Sequence, residues 1–291
     1  MSTILVTGSS GFIGRALAQS LAKRHQVICM SRKDPKLGLP WICGEFSSFE
    51  DLRQLNQYPI DATVHLAAVT GGCLERDGML VNVEGTRSLM RYLIDRGCRK
   101  FVLASSIAAV GMQSPAFRPL QLPIPDEHPC LDRDGYGLSK YLMEEVTRYY
   151  HRQNPNLDII NLRLAAIVPD ETPLTPGGLP PLGPWAAGSV TLMLLADAVR
   201  TFELAVESAY QPRLSIMNAA GPRVWASVPT AELLRHWWGT DVDVSCYEQP
   251  GREFEGVYDV RRIKDELGFV AQKVPGTTMD GQRLEPSISQ V

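Results

Sequence analysis

The chain is poor in what a metal centre, a nucleic-acid surface or a membrane anchor needs. Its five histidines include no His-x-x-x-His pair, and its six cysteines (Cys29, Cys43, Cys73, Cys98, Cys130, Cys246) form no Cys-x-x-Cys. No metal site is therefore expected, and the thiols read as reduced and mostly buried, as in a cytoplasmic protein. There is no excess of positive charge: the net charge is −3, which argues against nucleic acid or an anionic membrane as partner. No apolar run approaches the roughly 20 residues of a membrane span, and glycines interrupt the start where a secretory leader would be apolar. What is present is 291 residues, 44% of them apolar, enough for a large core.

The most informative stretch is residues 3–14, Thr-Ile-Leu-Val-Thr-Gly-Ser-Ser-Gly-Phe-Ile-Gly. A short β-branched run ends at Thr7, Gly8, Gly11 and Gly14 follow at every third position, and Ile13, Leu17 and Leu21 then mark one face of a helix. Strand, glycine turn and helix in this order suit a dinucleotide pyrophosphate. The first glycine allows the tight turn, the second lets backbone approach phosphate, and the third seats the helix on the strand. The contacts expected here are Gly8, Ser10, Gly11, Phe12, Ile13 and Gly14.

Strand-like segments at 3–7, 26–30, 40–43, 61–66, 99–105 and 157–163 alternate with helix-like segments at 12–24, 48–57, 77–96 and 136–152. This predicts an α/β fold, a Rossmann-type doubly wound parallel sheet. Two regions, 112–135 and 169–190, are rich in proline and read as loops leaving strand ends, with Pro180, Pro181, Leu182 and Trp185 as an apolar lining. Further on, 192–208, 229–238 and 261–267 read as helix and 213–218 as strand. The division expected is a dinucleotide-binding core over 1–165, with 192–218 returning to it. A small C-terminal substrate-binding cap follows from 166–191 and 219–270, and a polar tail from 271–291.

Tyr136-Gly-Leu-Ser-Lys140 puts a phenol and an ammonium four residues apart, on one face of a helix. A neighbouring cation favours phenolate and draws a phenol towards working pH. Ser106, at the end of the 99–105 strand, is placed to orient a substrate oxygen towards Tyr136. Asn82 sits in a helical pattern where an amide needs a partner. The segment Asp61-Ala-Thr-Val-His-Leu-Ala-Ala68 ends in residues small enough for close passage of a flat cofactor, with His65 as a structural histidine.

Together with Asn161-Leu-Arg163, Asn218-Ala-Ala-Gly221, Asp259 and Leu267-Gly268-Phe269, these motifs resemble the extended short-chain dehydrogenases/reductases of the NAD-dependent epimerase/dehydratase family, up to about residue 270. The resemblance implies a nicotinamide cofactor, Tyr136 as acid/base, Lys140 on the ribose, Ser106 on the substrate oxygen and Asn82 beside them. It places Glu45 and Phe46 about the adenine and adds Leu66, Ala67, Ala68, Ser105, Ala165 and Ile167 to the cofactor contacts. It also implies a homodimer through helices 77–96 and 136–152, with Leu89, Tyr92, Leu93, Tyr141, Leu142 and Tyr149 as interface residues or as core.

The second strand ends in Ser31-Arg32-Lys33, where an NAD-binding chain carries an acidic residue. Two cations and a hydroxyl suit the 2′-phosphate of NADP over NAD. Ile107-Ala108-Ala109 follows Ser106 without the carboxylate that dehydratases of the family place there, which argues against elimination. The expected function is an NADPH-dependent reductase of a carbonyl on a nucleotide-linked keto sugar or related small molecule. The alternative is an NAD-dependent sugar-nucleotide epimerase working through a transient ketone. From another class, a non-catalytic dinucleotide sensor would have no use for Tyr136, Lys140 and Ser106 together. Arg213 and Arg252 are the candidate substrate cations, because Arg163-Leu-Ala-Ala166 lacks the amide that often meets substrate phosphate in the family.

Overall fold

The computed structural model describes residues 1–171, 178–179, 181–183 and 186–272. Its strands are β1 (Thr3–Thr7), β2 (Gln26–Ser31), β3 (Trp41–Cys43), β4 (Ala62–His65), β5 (Lys100–Ser106), β6 (Asp158–Leu164), β7 (Ala166–Val168), β8 (Leu192–Leu194) and β9 (Arg213–Ala219). The helices are α1 (Phe12–Leu21), α2 (Phe49–Leu52), α3 (Glu75–Asp77), α4 (Thr86–Asp95), α5 (Gly135–Gln153), α6 (Ala186–Ser189), α7 (Leu195–Glu207), α8 (Thr230–Trp238) and α9 (Arg261–Leu267).

Seven strands form one parallel sheet in the order β3-β2-β1-β4-β5-β6-β9. Alternate residues of each strand point to opposite faces. On one face Ile4, Val6, Val64 and Val102 pack with Leu17 and Leu21 of α1, Phe202 of α7 and Ile263 of α9. On the other, Leu5, Ile28 and Leu103 pack with Leu89 and Leu93 of α4 and Met143 and Tyr150 of α5. A sheet covered on both faces is the expected doubly wound fold. Its chain order reverses between β1 and β4, and the crevice beyond their carboxyl ends is where such sheets hold ligands.

A separate apolar cluster joins Ile107, Val110, Met112, Phe117 and Ile124 to Val224, Leu233, Trp237, Tyr247 and Tyr258. The proline-rich 112–135 segment is also pinned to β9: Asn218 N donates to Asp126 Oδ1 at 2.6 Å, and Asn218 Nδ2 to Ile124 O at 3.0 Å.

Three boundaries differ from expectation. Residues 192–194 are not the start of a helix but strand β8, paired in parallel with β7. Leu-Met-Leu is short and apolar throughout, and such a run fits a buried strand as well as a buried helix. The helix expected over 77–96 is interrupted by a π-helical turn at Gly78–Gly85. The segment 48–57 turns from α2 into a 3₁₀ turn at Arg53–Gln57. Pro180, Trp185 and nearly all of the expected 271–291 tail lie outside the described residues.

Candidate active site

The glycine turn is built as its spacing predicts. Gly8 holds φ +68°, and its N–H donates to Met30 O at 2.9 Å, tying the end of β1 to β2. A Cβ on Gly14 would lie 2.2 Å from Gly8 O, and one on Gly8 2.7 Å from Ala67 N. The turn is therefore closed against backbone on both sides. Gly11, the N-cap of α1, provides no side-chain cap, so the outward N–H groups of the first turn are left for an anion. Ser10 and Phe12 are exposed at this rim, Ile13 is half-buried, and Gly14 is buried beneath it.

At the end of β2, Arg32 and Lys33 are exposed and have no ion-pair partner among the described residues. Ser31 departs from expectation. It is buried, its hydroxyl donates to Lys33 O at 2.7 Å, and it shares a 3.0 Å bond with Ser9 Oγ. The hydroxyl is spent on shaping the turn, which leaves the two cations as the anion-attracting part. Glu45 is exposed, its N–H donating to Asp51 Oδ2 at 2.8 Å. Phe46 stands edge-on to His65, with ring centroids 4.9 Å apart.

The β4 strand delivers Leu66, Ala67 and Ala68, all half-buried, to the crevice floor. His65 is structural: Nδ1 meets Thr7 Oγ1 at 2.7 Å and Nε2 meets Thr86 Oγ1 at 3.0 Å. Burial, aided by the Lys140 charge, pushes its pKa down to about 3, so it is neutral at pH 7. Asn82 is spent on positioning. Its Oδ1 accepts from Val69 N at 2.9 Å, while Nδ2 donates to Val69 O at 3.0 Å and to Ser139 Oγ at 2.9 Å. Ser139 in turn donates to Tyr136 O at 2.7 Å. Asn82 thus clamps the crevice floor to the turn of α5 that carries Tyr136, without pointing at the phenol.

Asp134 caps α5, accepting from Tyr136 N at 2.9 Å and Gly137 N at 3.0 Å. The Ser106 side chain sits beside the Tyr136 phenol and pulls its pKa down. Ser106, at the tip of β5, also accepts from Ala108 N at 3.1 Å, which fixes its rotamer. Lys140 is buried, with Nζ donating to Ala104 O at 2.8 Å and lying 5.8 Å from the Tyr136 ring centre. At that distance the ammonium does not lower the phenol as expected from the spacing. Burial dominates and pushes Tyr136 up to about 12, against the downward pull of Ser106. The same burial draws Lys140 down to about 8, opposed first by the Glu144 carboxylate. At neutral pH the site therefore holds a neutral phenol beside a mostly charged lysine.

Three expected contacts lie elsewhere. Ser105 is turned from the crevice, its Oγ donating to Glu144 Oε1 at 2.6 Å inside the core. Arg213 begins β9, paired in register with Asp158 at the start of β6. This is the amino edge of the sheet, opposite the glycine turn, and there Arg213 is bonded to Asp158 at 3.1 Å. Arg252 is held by Glu255 at 2.6 Å. Both side chains already have anionic partners, which their place in the sequence did not reveal. Ala165 is buried and Ile167 half-buried, just past the end of β6.

Sequence reading missed Cys73, whose thiol acts electrostatically on both Tyr136 and Lys140 from the 66–74 segment. It also missed Asp134 and Glu144, although each left a signal. An Asp just ahead of an apolar helical pattern is an N-cap signature, and Glu144 follows Lys140 at the four-residue spacing of one helix face.

Residues 4–173 match the model of the NAD dependent epimerase/dehydratase family, well over half of the chain. The chain belongs to this family. Among its curated relatives, UDP-glucose 4-epimerase 1 of Oryza sativa subsp. japonica is 26% identical over 185 residues, 56% of this chain and 51% of that protein. The D-erythronate dehydrogenase of Cupriavidus necator is 29% identical over 172 residues, 52% of this chain and 51% of that protein. The chain thus spans about half the length of the curated relatives it matches. A short-chain dehydrogenase/reductase superfamily protein from Agrobacterium tumefaciens, solved with bound NAD, superposes with a TM-score of 0.70. At 22% identity, with 94% of this chain and 93% of that one covered, the likeness is one of fold. The extended short-chain dehydrogenase fold expected of the family is therefore the fold observed.

Proposed function

We propose that the chain binds a nicotinamide dinucleotide across the β1–β4 switch point and interconverts alcohol and ketone at a carbon of a nucleotide-linked sugar. The reading carries on to epimerisation through a transient ketone. The observation behind it is the convergence of Tyr136, Ser106 and Lys140 at the carboxyl edge that also carries the glycine cradle. The cradle suits a pyrophosphate because no side chain fits at Gly8 or Gly14 and the first turn of α1 is uncapped. Gly8 to Gly14 would hold the pyrophosphate and Leu66 to Ala68 would floor the crevice, while Lys140 would meet ribose. When bound, the nicotinamide supplies the acceptor and donor of hydride. Tyr136 then holds the proton that the alcohol loses and the ketone regains, and Ser106 orients the substrate oxygen towards it. The segments 166–191 and 219–270 serve as substrate cap.

The epimerase reading is favoured over the reductase by the UDP-glucose 4-epimerases among the relatives. Elimination stays disfavoured, since Ile107, Ala108 and Ala109 form a buried apolar turn beside Ser106. The reductase is kept as second reading on one observation, the exposed Arg32 and Lys33, without an ion-pair partner among the described residues, which suit NADP. The D-erythronate dehydrogenase among the relatives is in keeping with it.

The deciding experiment is to release and identify any dinucleotide retained on purification, then incubate the protein with UDP-glucose. Retained NAD with conversion to the 4-epimer supports the epimerase. An empty site with NADPH consumed on keto substrates supports the reductase. Failure to bind any nicotinamide dinucleotide overturns both. In the same titrations, Arg32→Ala with Lys33→Ala is expected to lower the NADP/NAD affinity ratio by about tenfold per cation, or about 1.4 kcal/mol each. An unchanged ratio removes the argument for NADP.

A homodimer is part of the proposal, with a changed interface. Leu89, Tyr92 and Leu93 are core residues, at most 9% exposed. Tyr149, expected at the interface, leaves 43% of its surface open on α5, and Leu80 of the π-helical turn and Leu138 of α5 join it with 52% and 36%. Leu80→Glu with Leu138→Glu is expected to turn a dimer into a monomer in light scattering, and a wild-type monomer would dismiss the interface.

A further inference from the structure

The last residues of β5 grip two successive turns of α5. Lys140 Nζ donates to Ala104 O at 2.8 Å, and one residue on, Ser105 Oγ donates to Glu144 Oε1 at 2.6 Å. Glu144 is fully buried, and Arg163 of β6 closes it with two bonds of 2.8 Å, Nε to Oε1 and Nη2 to Oε2. Arg163 Nη1 goes to Asp126 O at 2.7 Å, so the ion pair is also tied to the 112–135 segment. Such a dry pair is a poor source of stability, because desolvating two charges offsets their attraction, and apolar residues of similar volume often do as well. Its position suggests another use.

We propose that Ser105, Glu144 and Arg163 are positioning residues for the reaction: they fix a carboxylate one helical turn from Lys140, keeping its ammonium charged and seated on β5. The inference rests on the reading of Tyr136 and Lys140 given above. The groups facing Lys140 are Tyr136 and Glu144 on α5, Cys73 from the 66–74 segment and His65 of β4. Burial keeps Tyr136 and His65 neutral at pH 7, and it also pushes the Cys73 thiol up. Glu144 is therefore the anion that acts on Lys140, and it is the first influence opposing the burial that draws the lysine to about 8. Removing a negative neighbour lowers an amine pKa, so loss of Glu144 leaves more of Lys140 neutral in the working range.

The test uses full-length protein with ¹³C-labelled lysine, the Lys140 Cε resonance being assigned with Lys140→Arg and titrated by NMR through neutral and alkaline pH. Glu144→Gln is expected to move the Lys140 midpoint down by about one pH unit or more. Glu144→Asp, which keeps the charge, is expected to restore most of it. Where Glu144→Gln unfolds because Arg163 is stranded, Glu144→Met with Arg163→Met removes the stranded charge, and a smaller downward shift is expected because the opposing cation leaves with the carboxylate. An unmoved midpoint in either folded variant overturns the proposal, as does a Glu144→Asp shift equal to that of Glu144→Gln. NADPH and NADH titrations of the same samples report separately on the dinucleotide reading, because the NMR midpoint needs no bound cofactor.

Discussion

Tyr136→Phe is expected to lower turnover by about 10³-fold, the middle of the range for removing a positioned general acid or base, while dinucleotide affinity stays within about twofold of wild type. The split follows from where the two groups sit. The phenol faces Ser106, and the pyrophosphate cradle is made of backbone at Gly8 to Gly14, which a phenylalanine at 136 does not touch. The fold is expected to survive, because Asp134 and Ser139 bond the backbone of residue 136 and not its ring. Steady-state kinetics and calorimetric titration check both halves. Near-normal turnover would remove Tyr136 from the chemistry, and lost affinity would make it a binding residue. The pH profile adds a signed expectation. A phenol held up at about 12 is a ready proton donor at pH 7, so ketone reduction is flat through neutrality. Alcohol oxidation needs phenolate and rises about tenfold per pH unit through neutrality.

The sheet and the glycine turn were legible because they rest on local rules. Buried parallel strands demand continuous apolar runs, and the turn demands glycine at positions that only glycine can fill. Tyr136, Lys140 and Ser106 were legible for a similar reason: one helix face and one strand tip bring them together. The electrostatics of the site were not. The Tyr136–Lys140 spacing suggested a cation pulling a phenol down, but burial of the ring outweighs an ammonium anchored on Ala104. Neighbours along the chain also hid different fates. Ser105 and Ser106 are adjacent, and strand alternation sends one to Glu144 in the core and the other to the crevice. Arg213 looked available because nothing near it in sequence shows that Asp158, the first residue of a strand 55 positions earlier, lies beside it.

Gly14→Ala tests the most legible of these features and is expected to damage both fold and binding. Its Cβ would lie 2.2 Å from Gly8 O and 2.9 Å from Gly8 C, both backbone, so no side chain can swing aside to admit it. The helix must back away from the end of β1, loosening Leu17, Ala18 and Leu21 against the sheet. Overpacking of this kind costs about 2–3 kcal/mol, or a fall in Tm of about 3–5 °C for a chain of this size. The displaced helix also carries its N–H groups and dipole away from the pyrophosphate position, and affinity is expected to fall about a hundredfold, or about 2.7 kcal/mol. Gly11→Ala separates the two losses. There the only close atom is Gly8 O at 3.1 Å, so stability should change little while phosphate approach is still obstructed. Gly183→Ala, with no atom of the described residues within 4 Å, is the control for glycine replacement as such. Thermal unfolding together with NADPH and NADH titration of the three variants decides the matter. A Gly14→Ala protein that melts and binds like wild type would show that α1 does not need its close seat on β1, and the case for a pyrophosphate at this turn would fall with it.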